Sequence, residues 1–244
     1  MVFRNYWDKI KRYAVPSSKE SREFFIIIAV FALIASFNQW GNTTFDAVQG
    51  LLNYAGAFIL IALSVFVHHA AQRLMAVKYG FKPNHEVWWT GLIIGVVLVV
   101  LTQGKVQLFI ASGITISMLY QHRLGISRYG PGIQQHAIIA LSGPVANAFL
   151  AGIFKTIELW IMPSALAHNF FVFNLWFAAL NLLPIPPLDG SKILYSSRLL
   201  YVFLIITLLA YTAFAYFLHF YSYVIALLIG IVAWILYYVV FEKE

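Results

Sequence analysis

Among the ionisable residues inside or beside the long apolar runs of this sequence, four stand out: the pair His68 and His69, Glu158, and Asp189. A charge within hydrocarbon is costly, so each is a candidate for function before any other role. His68 precedes Lys78 by about ten residues, roughly 15 Å of helix, which sets it well below the basic end of its run. Asp189 lies in Asn181-Leu-Leu-Pro-Ile-Pro-Pro-Leu-Asp-Gly190, where three prolines break a helix and Gly190 permits a sharp turn. A carboxylate carried by a broken helix toward a histidine at similar depth has the outline of a metal site. There is no cysteine, which excludes thiolate ligands, disulfides and a cysteine nucleophile. Glu158 stands three residues from Lys155 on one helix face, the spacing of an ordinary ion pair.

These residues must be positioned by membrane elements. The chain is 61% hydrophobic and only 10% charged over 244 residues, with a mean hydropathy of +0.80. That balance excludes a water-soluble globular domain, a disordered chain, collagen and a coiled coil. The apolar runs are 24–37, 51–79, 88–102, 106–120, 136–162, 170–183, 199–220 and 223–241. About 20 apolar residues cross a bilayer, so they predict an all-α polytopic protein of about six transmembrane helices. The segment near residues 88–120 is predicted to be re-entrant and partly β-stranded, because Ile114-Thr-Ile-Ser-Met118 alternates.

Charge placement supplies the topology. Six of the 16 basic residues fall in the first 22 positions, interleaved with Tyr6, Trp7 and Tyr13, and no small-residue cleavage site follows. Residues 1–23 therefore read as a basic cytoplasmic tail against anionic headgroups, 24–241 as a single transmembrane domain, and 242–244 as a cytoplasmic end. The partners implied are membrane lipid and other membrane proteins or transmembrane peptide segments. The net charge of +7 is explained by topology, not by nucleic acid. An integral, multi-pass cell-membrane protein with both termini cytoplasmic is the expectation.

Three segments carry a family resemblance. Asn181–Gly190 resembles the third-ligand motif of the site-2 protease family of intramembrane zinc metalloproteases. Ala140-Leu-Ser-Gly-Pro-Val-Ala-Asn147 is similar to that family's S/A-G-P-x-x-N segment. Phe66–Gly80 stands where the family carries H-E-x-x-H. The resemblance implies a six-span core with strands near the cytoplasmic opening, and metal ligands at His68 and Asp189. It also implies a substrate or partner groove that includes Gly143, Pro144, Asn147, Asn181 and Pro184.

The departure from the motif is specific. H-E-x-x-H places two histidines at i and i+4 on zinc, with the glutamate as general base. Here the segment reads His68-His-Ala-Ala-Gln72: the glutamate position is His69 and the second histidine position is Gln72. An amide is a poor zinc ligand, and His69 points about 100° from His68 around the helix. Loss of both base and ligand predicts a pseudoprotease with a vestigial site and no cofactor. The alternative is an active metalloprotease with zinc in an altered site, drawing a third ligand from His122 or His136. His85, His168 and His219 lie at span ends, where a bond to backbone or headgroup is the plain expectation.

Overall fold

The structure is a computed structural model that describes residues 2–41, 44–110, 112–118, 132–161, 163–215 and 221–242, with side chains from residue 5 onward. His122 and His219 lie outside the described residues. The chain divides into two compact units, Met1–Pro131 and Gly132–Glu244.

In the first unit the order is α1 (Val2–Tyr13), α2 (Ser18–Ala35), α3 (Ala47–Lys78), β1 (Phe81–Val87), α4 (Trp89–Leu101) and β2 (Ser112–Met118). Pro16 ends the first helix, and Ser17 starts the second through a reciprocal cap with Glu20. Asp46 caps α3 by accepting from the amides of Val48 and Gln49, both at 3.0 Å. Gly80, with φ of +82°, turns the chain from α3 into β1. β1 and β2 pair antiparallel, with His85 opposite Ile114. Alternation buries Phe81, Pro83 and His85 and leaves Lys82 and Glu86 exposed.

The second unit comprises α5 (Ile133–Trp160), α6 (Ala165–Asn181), α7 (Asp189–Ser196), α8 (Arg198–Phe214) and α9 (Tyr221–Tyr237), the last continuing as a π turn over Tyr238–Glu242. Its core joins Ala151 of α5, Phe171, Leu175 and Ala178 of α6, Ile193 of α7, Leu208 and Tyr211 of α8, and Ala226 of α9. Ser164 and Ser197 cap α6 and α8.

Among the described residues three helices are long and apolar enough to cross a membrane: 47–78, 133–160 and 221–242. They mark the protein as membrane-associated. The other apolar runs form shorter helices: α6 and α8 have 17 residues each, and the first turns of α2 carry Lys19, Glu20, Arg22 and Glu23. The strand character expected near 88–120 is present at Ser112–Met118. Trp89–Leu101, however, is helical, and the strand that pairs with Ser112–Met118 lies before that helix at Phe81–Val87. A run of Gly, Leu, Ile and Val is helix or strand by content alone, whereas the partner strand Phe-Lys-Pro-Asn-His-Glu-Val hides behind its polar residues.

Candidate functional site

In the first unit α3 directs His69, Gln72 and Arg73 toward α2 and β1, because i, i+3 and i+4 share one face of a helix. His68, His69, Gln72, Arg73 and His85 are all buried. Gln72 is 1% exposed, and its Oε1 lies 2.9 Å from Nε2 of His85. On the other edge of that imidazole, Nη2 of Arg73 stands 3.4 Å from Nδ1. An amide oxygen accepts and a guanidinium donates, so His85 is held as the neutral tautomer with its proton on Nε2. Arg73 Nη2 also donates to Glu20 Oε1 at 2.6 Å, and that oxygen accepts from the His85 amide at 3.1 Å.

His69 is held differently. Its ring stacks on Phe24 at 4.5 Å and meets His85 edge-on at 4.2 Å and His68 at 5.2 Å. Neither of its ring nitrogens has a hydrogen-bond partner among the described residues. The imidazole at the glutamate position is thus packed as an aromatic plate. Glu20 carries the polar load of the cluster. Burial raises its carboxyl, but hydrogen bonds from the Ser17 and His85 amides and the Arg73 charge outweigh this, so it sits below the usual glutamate range. A depressed folded pKa contributes stability that is present above the unfolded value, near 4.3, and is lost as pH falls through the folded value. Thermal unfolding from pH 7 to 3 is therefore expected to show a loss of stability below about pH 4.5. That loss should be shallower in Glu20→Gln, and an identical acid slope in both would contradict the assignment.

The remaining expected site residues belong to the second unit. Asp189 opens α7, buried, with its Oδ1 3.6 Å from Lys192 Nζ. Lys192 also donates to the Pro187 carbonyl at 2.8 Å, and Ser191 to that of Leu188 at 2.7 Å. Asn147 donates to Asn174 Oδ1 at 2.8 Å, linking α5 to α6, and Asn174 donates in turn to the Phe170 carbonyl at 2.9 Å. Asn181 donates back to the Phe177 carbonyl at 2.8 Å. Gly143 and Pro144 are buried within α5, and Pro184 is exposed in the loop before α7. An apolar cavity of about 780 Å³ opens between α5, α8 and α9, lined by Pro144, Ala148, Gly152, Leu204, Leu208 and Tyr223 among others. Of the expected groove residues Pro144 alone lines it.

The Lys155–Glu158 pair is present at 3.1 Å, and Glu158 also meets His168 at 3.0 Å. His136 lies half-buried in the first turn of α5. His85, expected at a membrane edge, is instead 3% exposed in the α2–α3–β1 cluster. The alternation of Phe81, Pro83 and His85 was the available signal for this, since it places His85 on the buried parity of the strand.

The chemistry of this donor set does not fit zinc. Gln72 offers an amide oxygen that is already committed to His85. His69, next to His68, is an imidazole packed on Phe24 and His85 and offers no carboxylate. Among the described residues no three His, Cys, Asp or Glu side chains come together to hold a metal.

Comparison with known proteins gives a relative nonetheless. The chain is 30% identical over 182 residues to the Methanocaldococcus jannaschii protein named "Putative zinc metalloprotease MJ0611", covering 73% of this chain and 84% of that protein. No family model matches the chain. No solved structure matches it. By identity and extent of coverage, the chain belongs to the family of this archaeal zinc-metalloprotease-like protein.

Proposed function

We propose that this protein is a site-2-protease-like member of that family that no longer cleaves peptide bonds, a pseudoprotease that binds membrane-protein or peptide segments or serves as an accessory subunit of a membrane complex. The observation that carries the reading is the closed cluster on α3. Gln72 spends its oxygen on His85, and His69 is packed between Phe24 and His85. Zinc hydrolysis needs strong metal ligands and a base beside an activated water, whereas here the amide of Gln72 is spent on His85 and the ring of His69 is stacked on Phe24. In the same reading His68 and Asp189 are vestiges of a ligand set, with the Lys192 ammonium beside Asp189 as its counter-charge. The apolar cavity at Pro144 supports the binding role, since it offers a bilayer-facing partner a recess without charge. The six-span, multi-pass arrangement in the cell membrane, with both termini cytoplasmic, belongs to this proposal. It rests on the apolar runs and on where Lys and Arg fall.

A cleavage assay tests it. The full chain is co-reconstituted with single-span reporter proteins, beside His68→Ala and Asp189→Ala. No reporter fragment above the level of the two variants is the expected result. Cleavage by the unaltered chain that both substitutions abolish would overturn the proposal.

A further inference from the structure

The basic N-terminal segment is an ordered helix tied to the end of a membrane span. In α1, Tyr6, Trp7, Ile10 and Tyr13 recur at three- and four-residue spacing and form one apolar face, continued by Ala14 just after the helix, while Asp8, Lys11 and Arg12 occupy the other. The Tyr6 hydroxyl donates to the Leu74 carbonyl at 2.9 Å, and Arg73 Nη1 donates to the Ala14 carbonyl at 3.2 Å. Both anchors lie within the last turns of α3, which ends at Lys78 and is long and apolar enough to cross a membrane. Two hydrogen bonds, one toward each end of the helix, therefore fix α1 beside the point where that span leaves the hydrocarbon.

What α1 presents there is specific. Trp7 is 51% exposed although it belongs to the apolar face, and Lys11 stands 5.8 Å from its ring centre. Lys11, Arg12, Lys19 and Arg22 are exposed, as are Lys78 at the end of α3 and Lys82 just beyond it. Against these six cations the neighbouring exposed acids are Asp8 and Glu86. Glu20 is occupied by Arg73, and the half-buried Glu23 lies 3.8 Å from Lys19, which remains largely exposed. An exposed indole among cations, fixed beside the end of a helix long and apolar enough to cross a membrane, is the combination that an anionic bilayer surface takes up.

We infer that α1 is an interfacial helix that binds an anionic lipid surface, with Trp7 immersed at the acyl boundary and Lys11, Arg12, Lys19 and Arg22 on the headgroups. The reading is independent of whether the protein cleaves anything. Because Arg73, which holds Ala14, also contacts Glu20 and His85, the lipid-bound helix is joined directly to the buried cluster on α3.

The absence of cysteine makes the test clean. The full chain carrying a spin label at Trp7→Cys or at Arg12→Cys is placed in nanodiscs of phosphatidylcholine, with or without phosphatidylserine. Collision with oxygen and with a water-soluble nickel chelate then reports depth. With phosphatidylserine the label at position 7 should be oxygen-accessible and nickel-protected, and the label at position 12 nickel-accessible. Each basic residue at such a surface is worth about a fivefold preference, so Lys11→Gln, Arg12→Gln, Lys19→Gln and Arg22→Gln together should lower the equilibrium constant between immersed and detached α1 by on the order of several hundred-fold. Should that fourfold variant fail to fold, a salt titration of the unaltered basic set gives the same readout, with nickel protection at position 7 falling as salt rises. Equal nickel access at positions 7 and 12 would overturn the inference. So would protection at 7 that ignores phosphatidylserine and salt, or spin–spin broadening that shows α1 docked on a second copy.

Discussion

Arg73→Met is expected to cost about 3–5 kcal/mol of stability, the usual consequence of removing one partner from a buried ion pair. Arg73 and Glu20 meet at 2.6 Å with side chains 6% and 12% exposed, so the carboxylate left behind has little water to turn to. The same guanidinium holds the Ala14 carbonyl and stands against His85, so its loss also loosens α1 and the β1 edge of the cluster. In a chain of this size each kcal/mol moves the melting temperature by roughly 2–4 °C. Fluorescence-monitored unfolding in detergent is the measurement. Pairing Arg73→Met with Glu20→Gln should cost less than the two single changes added together, with a coupling of about 1–3 kcal/mol. Strict additivity would show that the pair is exposed in solution and does not organise the cluster.

The second large effect is expected at Gly190, immediately after Asp189. A β-carbon there would overlap the Leu182 carbonyl and stand 2.6 Å from that of Leu183, both backbone atoms at the end of α6. Backbone cannot rotate away as a side-chain tip can, so Gly190→Ala should reach the upper part of the overpacking range, about 3 kcal/mol. Gly56 provides the contrast. It lies inside α3 with nothing within 4 Å of its would-be β-carbon, so Gly56→Ala should stabilise by about 0.5–1 kcal/mol through helix propensity. Opposite signs for one chemical change, read as melting temperatures, are the predicted outcome. A neutral Gly190→Ala would mean that the Asp189 turn is not held against α6.

How much of this was legible in the sequence depended on distance along the chain. The Pro-broken turn into Asp189 and the Lys155–Glu158 pair are local features, and each appears in the structure in the expected element. The spacing of Gln72 from His68 was readable, since i and i+4 share a helix face, but its bond to His85 was not. His85 sits on a strand whose partner begins 25 residues after that strand ends, beyond a helix that could itself be taken for strand. Glu20 and Arg73 are 53 residues apart, on two helices whose facing is fixed only by packing. Asn147 likewise gave no sign that Asn174 would meet it, because a buried asparagine needs a partner without specifying which. The helix count was weakest, since apolar runs set a length available for crossing, and caps and prolines decide how much of that length becomes one helix.

Under the proposed function His68 and Asp189 hold no zinc. Elemental analysis of the full chain, purified without chelators and resupplied with zinc before buffer exchange, tests this most directly. The expected result is far less than one zinc per chain, unchanged by His68→Ala or Asp189→Ala. One zinc per chain, lost in both variants, would contradict the proposal.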